Sequence, residues 1–241
     1  MLVYHSEQEA PMLKKLKPKT ISQIVNLLHK EYGSPRLGNK NNPVDELVYI
    51  ILSTKTSDKV YQRTYEKIRD KYLSWEKLLK ADIDEIAKVI EFGGLGKQKA
   101  KLIKNSLTRI KERFGKVNLD FLRKKRNLKE IEELLLSLPG VGIKTTKCIM
   151  LYSLNKKVLP VDTHTHRLTY RLGWIKRREM RNEKGKLHEL LEMIVPKSLR
   201  YKLHVNAVAH GRKICLPRKP RCERCPLTRH CEYYREGSSF T

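Results

Sequence analysis

Leu138-Pro139-Gly140-Val141-Gly142-Ile143-Lys144-Thr145 decides how this chain folds. The octet lies between a Leu-rich helical stretch with Ile131, Leu134 and Leu135 and a second one running through Cys148, Ile149 and Tyr152. Neither glycine carries a Cβ, so the backbone can turn tightly there and approach a ligand closely. The pattern predicts a helix–hairpin–helix over about residues 131–155, whose second helix opens with amide N–H groups suited to a phosphate. Gly140, Val141 and Gly142 are the candidate phosphate contacts, made through the backbone and therefore indifferent to base sequence. A Gly-x-Gly turn between helices is also a common structural device, and the octet alone leaves both readings open.

Working outward, the apolar spacing is helical almost throughout. Ile21, Ile24, Val25 and Leu28 follow an i, i+3, i+4, i+7 stripe, and Ala100, Ile103, Leu107, Ile110 and Phe114 trace another that stops at Gly115, where a left-handed cap is cheap. Pro43 suits the first turn of a helix through Leu47, Ile50 and Ile51, while Asp82 and Glu85 have capping-box spacing. No run alternates with period two, so strands are not expected and the chain reads as all-α. Two basic stretches, Leu13 to Lys19 and Arg123 to Lys129, read as solvated faces or mobile surface segments.

A chain of 241 residues can form one large or two small domains. Its 52 Lys and Arg against 26 Asp and Glu leave a formal charge of +26, a field that attracts polyanions and makes nucleic acid the leading partner. A ribosome-associated or merely Lys-rich protein is the alternative on charge alone. With 39% hydrophobic residues the chain is too apolar for wholesale disorder. The longest apolar run, around Leu47 to Leu52, falls far short of the roughly 18–20 residues that span a bilayer, so no membrane association is expected. Met1 to Glu7 lacks the basic-then-apolar layout of a secretory signal; a reducing interior, cytoplasmic or nucleoid-associated, is expected, without disulfides.

Three sets of residues carry candidate chemistry. Lys144 falls in the first turn of the helix after the hairpin, where the positive end of the helix dipole and Lys147 one turn on should lower its pKa and leave a partly neutral, nucleophilic amine. In a chain this basic it can equally be a phosphate contact. Asp162, in Val161-Asp162-Thr163-His164-Thr165-His166-Arg167, sits at a helix start, where an N-cap is the plain reading and a role paired with Lys144 the chemical one. Cys215, Cys222, Cys225 and Cys231 follow C-x6-C-x2-C-x5-C, close enough for four thiolates to surround one centre, either a structural zinc or an iron–sulfur cluster. Arg212, Lys213, Arg218, Lys219, Arg221 and Arg224 make that loop basic, and Pro217, Pro220 and Pro226 stiffen it. The fifth cysteine, Cys148, reads as buried packing, and His164 and His166 lack companions at ligand spacing.

The hairpin, the lysine after its second glycine and the Val-Asp-Thr-His segment, in this order, resemble the endonuclease III family of helix–hairpin–helix DNA glycosylases. Leu52-Ser53-Thr54-Lys55-Thr56-Ser57-Asp58, Gly94-Leu95-Gly96-Lys97 and the cysteine loop extend the likeness over about residues 20–236. The resemblance implies an all-α, two-lobed fold: a six-helix barrel over about 37–156, and a cluster lobe joining 1–36 to 157–241, with the cluster loop at 215–231 and a DNA-binding cleft between the lobes. It implies that Lys144 attacks C1′ of a damaged nucleotide and forms a Schiff base, that Asp162 assists across the cleft, and that the four cysteines hold a [4Fe-4S] cluster. It makes Leu95 and Lys55 the residues that fill the gap left by an extruded nucleotide, and His164 a contact beside the aspartate. Relatives commonly carry glutamine where Lys55 stands; lysine offers donors only, which leaves the opposite-base preference open.

The expected function is that of a monomeric bifunctional DNA glycosylase/AP lyase acting on double-stranded DNA that holds a damaged or mismatched base or an abasic site. Oxidised or ring-saturated pyrimidines such as thymine glycol are the expected targets. One alternative is a thymine or uracil glycosylase for G·T and G·U mismatches. Another, of a different class, is a non-catalytic DNA-binding module.

Overall fold

The computed structural model describes residues 17–175 and 184–237. The chain divides into two compact units, one formed by Gly38–Lys156 and the other by Met1–Leu37 together with Lys157–Thr241. All regular elements among the described residues are helical, and no strand occurs among them. No helix among them is long and apolar enough to cross a membrane.

The first unit is built around one helix, α2 (Pro43–Ser53). Asn42 caps it, its side chain accepting from Val44 N at 2.9 Å and Asp45 N at 3.1 Å, and Pro43 supplies a preset φ at the first position. Nearly every residue from Pro43 to Leu52 is buried, because α3 (Asp58–Tyr72), α6 (Gly96–Phe114), α8 (Ile143–Cys148) and a π-helical turn at Ile149–Ser153 pack against it. Tyr61 and Tyr65 of α3 meet Tyr49 edge-on at centroid distances of 5.0 and 5.4 Å. Trp75 opens α4 (Trp75–Lys80) and donates its indole N–H to Asp45 Oδ1 at 2.7 Å, so a buried aromatic and an acid settle each other. The stripe expected on α6 is buried at Ala100, Ile103, Leu107 and Ile110, and Gly115 ends the helix at φ +73°.

Two expectations need correction. Asp82 does precede α5 (Ile83–Ile90), but its side chain makes no cap hydrogen bond. Glu85 turns instead to Lys71 at 3.0 Å and accepts from the Tyr72 hydroxyl at 3.3 Å, because a full opposite charge attracts it more than the backbone N–H of Asp82 would. The Arg123 to Lys129 stretch is anchored. Arg123 binds Asp120 at 3.0 Å and donates to the carbonyls of Asn41 and Ser153, while Lys156 Nζ donates to the carbonyls of Arg123 at 3.0 Å and Lys125 at 2.6 Å. An irregular segment leaves carbonyls without a ladder, and these long basic side chains satisfy them. Of Leu13 to Lys19, only residues 17–19 are described; Pro18 and Lys19 begin α1 (Pro18–Tyr32) and the rest lies outside the described residues.

In the second unit, the α1 stripe of Ile21, Ile24, Val25 and Leu28 is buried against Leu168 and Leu172, Trp174, Leu191, and Leu203 and Ala207. These come from α9 (Thr163–Arg171) and its C-terminal cap, from α10 (Lys184–Ile194) and from α11 (Arg200–Lys213). Buried Arg200 donates to the Val195 and Lys157 carbonyls at 3.1 and 2.6 Å, and Glu192 Oε1 accepts from Leu159 N at 2.8 Å. These bonds fix the extended segment that delivers Asp162 to the start of α9. A short helix α12 (Glu232–Arg235) follows the cysteine loop.

The glycines give a stability test. Gly115 has a positive φ, but nothing lies within 4 Å of a Cβ built on it, whereas Gly140 has φ +74° and a Cβ there would stand 2.6 Å from Leu102. Gly115→Ala should cost about 1 kcal/mol from backbone strain alone. Gly140→Ala should cost roughly 1–3 kcal/mol more from overpacking. Chemical denaturation of the two variants checks the order.

Candidate active site and cysteine loop

The hairpin between α7 (Leu128–Leu136) and α8 is fastened to α6. Ser106 Oγ donates to Pro139 O at 2.5 Å, and the positive φ of Gly140 lets the turn lie directly on Leu102. Val141 is buried and its N–H closes the turn on Leu138 O at 3.1 Å. Gly140 and Gly142 are both exposed, and Gly142 faces open space and N-caps α8, so accessible backbone lies on either side of the buried Val141.

Lys144 is the second residue of α8 and is half-buried. Lys147 is buried with its Nζ 2.9 Å from Glu132 Oε2, and that carboxylate offsets most of its charge. Glu46 of α2 is within electrostatic reach of Lys144; it is 0% exposed and accepts from Asn39 Nδ2 at 2.5 Å and Lys40 N at 2.6 Å. Burial pushes the Glu46 carboxyl up to about 7, against the pull of those two bonds and of the Lys144 and Lys40 charges. Sequence reasoning missed Glu46. Its signal was an acid set in the otherwise apolar run from Val44 to Leu52, next to an Asp45 that Trp75 accounts for.

The two candidate gap-filling residues share an unusual backbone. Lys55 and Leu95 have φ of +52° and +55°, and both are exposed, Leu95 at 46%. Leu95 on its own would read as ordinary core; it stands instead at the N-terminal cap of α6 with its side chain in solvent. One residue joins the two turns. Lys99, 2% exposed, donates to Leu52 O at 2.9 Å, Thr56 Oγ1 at 2.7 Å and Gly93 O at 2.8 Å, and Thr56 Oγ1 itself donates to Gly93 O at 2.7 Å. Burial lowers the Lys99 pKa, and the three acceptors compensate for the lost hydration.

In the other unit, Asp162 is the N-cap of α9, its Oδ1 accepting from His164 N at 3.1 Å and Thr165 N at 2.8 Å. The capping role that its position suggested is therefore real. His164 is half-buried over Gly211 of α11, where a Cβ would stand 2.5 Å from its Nδ1, and Arg167 donates to that nitrogen at 3.0 Å. Burial lowers the His164 pKa and disfavours the imidazolium. Cys148 is buried, as expected.

Cys215, Cys222, Cys225 and Cys231 line one cavity with Leu168, Leu172 and Leu227. Arg171 locks the loop: it donates to Cys215 Sγ at 3.2 Å, Leu216 O at 2.7 Å and Pro217 O at 3.0 Å. Buried His210 meets the Tyr32 hydroxyl through Nδ1 at 2.9 Å and Cys225 Sγ through Nε2 at 3.5 Å, and burial lowers its pKa to about 4. Burial also raises the Cys222, Cys225 and Cys231 thiols, Cys225 to about 12, so thiolates at these three positions need a cationic centre to stabilise them. Among the described residues, no three His, Cys, Asp or Glu side chains stand close enough to share one metal ion. Four thiolates bound to four separate irons of a cube lie farther apart than four on one zinc, whose Zn–S bonds are about 2.3 Å, so a donor set spread around one cavity suits the cluster better. Arg212, Lys213, Arg218, Lys219, Arg221 and Arg224 are all exposed around it.

Residues 48–197 match the family of HhH-GPD superfamily base excision DNA repair proteins. The chain is 33% identical to endonuclease III of Thermotoga maritima over 215 residues, 89% of this chain and 93% of that one. Its fold matches that of a trapped endonuclease III–DNA covalent intermediate with a TM-score of 0.78 at 22% identity, covering 92% of this chain and 98% of the other. A thermostable thymine-DNA glycosylase matches with a TM-score of 0.73 at 30% identity, covering 91% and 97%. The chain belongs to the HhH-GPD superfamily of base excision DNA repair proteins and, within it, to the endonuclease III family of DNA glycosylase/AP lyases.

The Lys99 network makes a checkable claim. Lys99→Met would leave two carbonyls and a hydroxyl without their charged donor, at a cost of roughly 3 kcal/mol or more. Amide hydrogen exchange in the turns at 54–57 and 93–95 should accelerate together, while α7 keeps its protection; unchanged exchange at both turns would show that the clamp holds nothing.

Proposed function

We propose that this chain is a bifunctional glycosylase that removes oxidised or ring-saturated pyrimidines, of the thymine glycol kind, and nicks the resulting abasic site by β-elimination. The observation that carries the reading is the place of Lys144: an amine in the first turn of α8, two residues after the exposed Gly142, with a buried carboxylate on the neighbouring helix. The Lys144 lone pair attacks C1′ as the bond to the base breaks, and the base leaves with the electron pair. Loss of a second amine proton and cleavage of the C1′–O4′ bond, with O4′ taking the electron pair and a proton as the sugar ring opens, give a Schiff base, whose β-elimination breaks the strand. Asp162, held by the first amides of α9, stays anionic and stabilises the positive charge that develops on the sugar.

The amides around Gly140, Val141 and Gly142 grip backbone phosphate, and His164 supports the strand near Asp162. Leu95 and Lys55 fill the space vacated by the nucleotide. Their left-handed backbones, which cost of order 1 kcal/mol or more for residues with a Cβ, support this, since strain of that kind persists where function uses it. Cys215, Cys222, Cys225 and Cys231 would hold a [4Fe-4S] cluster, which in this reaction supplies a rigid frame for the cationic loop. The protein works as a monomer on duplex DNA, in a reducing compartment that keeps the thiols reduced.

One specific observation favours a second reading. Lys55 offers only donors to an orphaned base, and the thymine-DNA glycosylase is among the proteins this chain resembles, so G·T and G·U mismatches are the alternative substrates. A panel of single-lesion duplexes decides: faster release of mismatched thymine than of thymine glycol replaces the first reading with the second. For the lyase step, borohydride added to abasic-site duplex should trap the wild type covalently and leave Lys144→Ala free. No adduct with either protein would point to a module that only binds DNA. Protein purified without oxygen should be yellow-brown, with about four irons and acid-labile sulfide; stoichiometric zinc without sulfide would remove the cluster.

A further inference from the structure

An ammonium has no lone pair, so Lys144 must give up a proton before it can attack. In the catalytic reading above that leaves one carboxylate, Asp162, two incompatible tasks. Once it has accepted the proton it is neutral, and a neutral acid no longer stabilises a positive sugar. A second proton acceptor resolves the conflict, and the unit that carries Lys144 contains a suitable group outside the residues already assigned.

We propose that Glu46 is the proton acceptor of Lys144, a positioning residue that keeps the amine nucleophilic and leaves Asp162 charged for the sugar. Glu46 belongs to α2, which packs directly on α8, and its charge acts on Lys144. Its carboxyl is fully buried, with Oε1 held by Asn39 Nδ2 and Oε2 by Lys40 N. Each carboxylate oxygen can accept twice, so both anchors leave room for a proton. The transfer is balanced: the proton leaves Nζ for a Glu46 oxygen, directly or through one water, and turns an ion pair into an amine and a carboxylic acid. Low dielectric favours the neutral pair, and it favours it more as a nucleotide displaces water from around the amine.

The neighbours of Glu46 are consistent with this exchange. Among the ionisable groups on the elements packed against α2, Tyr61, Tyr65 and Tyr72 of α3, Lys99 of α6 and Lys147 and Cys148 of α8 are buried, and Lys144 of α8 and Tyr152 of the π-helical turn are half-buried; Asp45 and Tyr49 lie on α2 itself and Lys40 just before it. Lys99 is committed to Leu52 O at the far end of α2, Lys147 to Glu132, and Asp45 to Trp75. Burial raises the Tyr49 and Tyr65 hydroxyls well above their usual range, so both stay neutral. The Lys40 ammonium lies over the Tyr49 and Tyr65 rings at 4.5 and 4.4 Å, which holds its charge on the aromatic faces. The Glu46 carboxyl, raised to about 7 by burial, changes its proton occupancy near neutrality, where a general base is most effective.

The proposal rests on Lys144 being the lyase nucleophile, and the test separates the two ideas. Rates of borohydride trapping on abasic-site duplex are measured from pH 5.5 to 9.5 for wild type, Glu46→Gln and Glu46→Asp, with thermal unfolding of each protein recorded alongside. The wild-type rate should rise with pH through a midpoint near 7, because a Glu46 that is already protonated cannot take the proton. Glu46→Gln should trap at least tenfold more slowly at pH 7, with its midpoint moved to alkaline pH, where solvent removes the proton. Its fold should not suffer: a carboxyl raised from 4.5 contributes stability below that pH that is lost as pH rises through about 7, so the amide should be the more stable of the two in alkali. Glu46→Asp should restore a midpoint near neutrality. Wild-type rate and midpoint in Glu46→Gln would overturn the proposal and leave the nucleophile standing. If Glu46→Gln fails to fold, Glu46→Asp carries the test, and a trapping midpoint near 7 in it or in the wild type supports the proposal while its absence in both overturns it. Absence of wild-type trapping overturns the nucleophile and this proposal together.

Discussion

The surroundings of α2 contain almost no water, and the functional residues of its unit are arranged by that fact. Pro43 to Leu52 are buried on nearly every face, so any polar atom there must find a partner or carry a large penalty. At one end the buried carbonyls of Leu52 and Gly93 require a donor, and Lys99 supplies three hydrogen bonds from a single ammonium. In doing so it joins the turns that present Lys55 and Leu95. At the other end Glu46 is held by Asn39 and Lys40 and acts on Lys144. Satisfying buried polarity and placing the chemistry are thus one problem with one solution.

The other unit treats charge differently. Arg167, Arg171 and Arg200 are sunk into the protein, and their guanidinium groups are used on backbone carbonyls of irregular segments. Arg200 steadies the approach to Asp162, and Arg171 closes the cysteine loop. Five donors in a rigid fork make arginine suited to this work, since one side chain can satisfy several carbonyls that no helix would otherwise cover. Six of the cations that remain in solvent, Arg212, Lys213, Arg218, Lys219, Arg221 and Arg224, crowd around that same loop. Part of the basic excess is therefore not a diffuse cloud but either internal scaffolding or a local patch.

Much of this was legible beforehand. The stripes of α1 and α6, the proline that opens α2, the glycine that ends α6 and the hairpin at 138–145 lie where their spacing placed them, because helical period and glycine conformation are local properties. Asp162 was legible as an N-cap for the same reason. What misled was also local. Asp82 and Glu85 have capping-box spacing, yet Lys71 on another helix attracts Glu85 away. Likewise the pairing of Lys147 with Glu132 of the preceding helix could not be read from the spacing of either residue.

By itself, the sequence determined the helical class, the hairpin, the four-cysteine loop and the identity of the amine at 144, all of which depend on residue type and short-range spacing. Tertiary structure alone decided which charges are felt. Glu46 reads as an ordinary helix acid and Lys99 as one more surface cation until helices distant in sequence close over them and exclude water. Electrostatic strength depends on the surrounding dielectric, and the dielectric at a residue is a property of the packed fold that no stretch of its own sequence encodes.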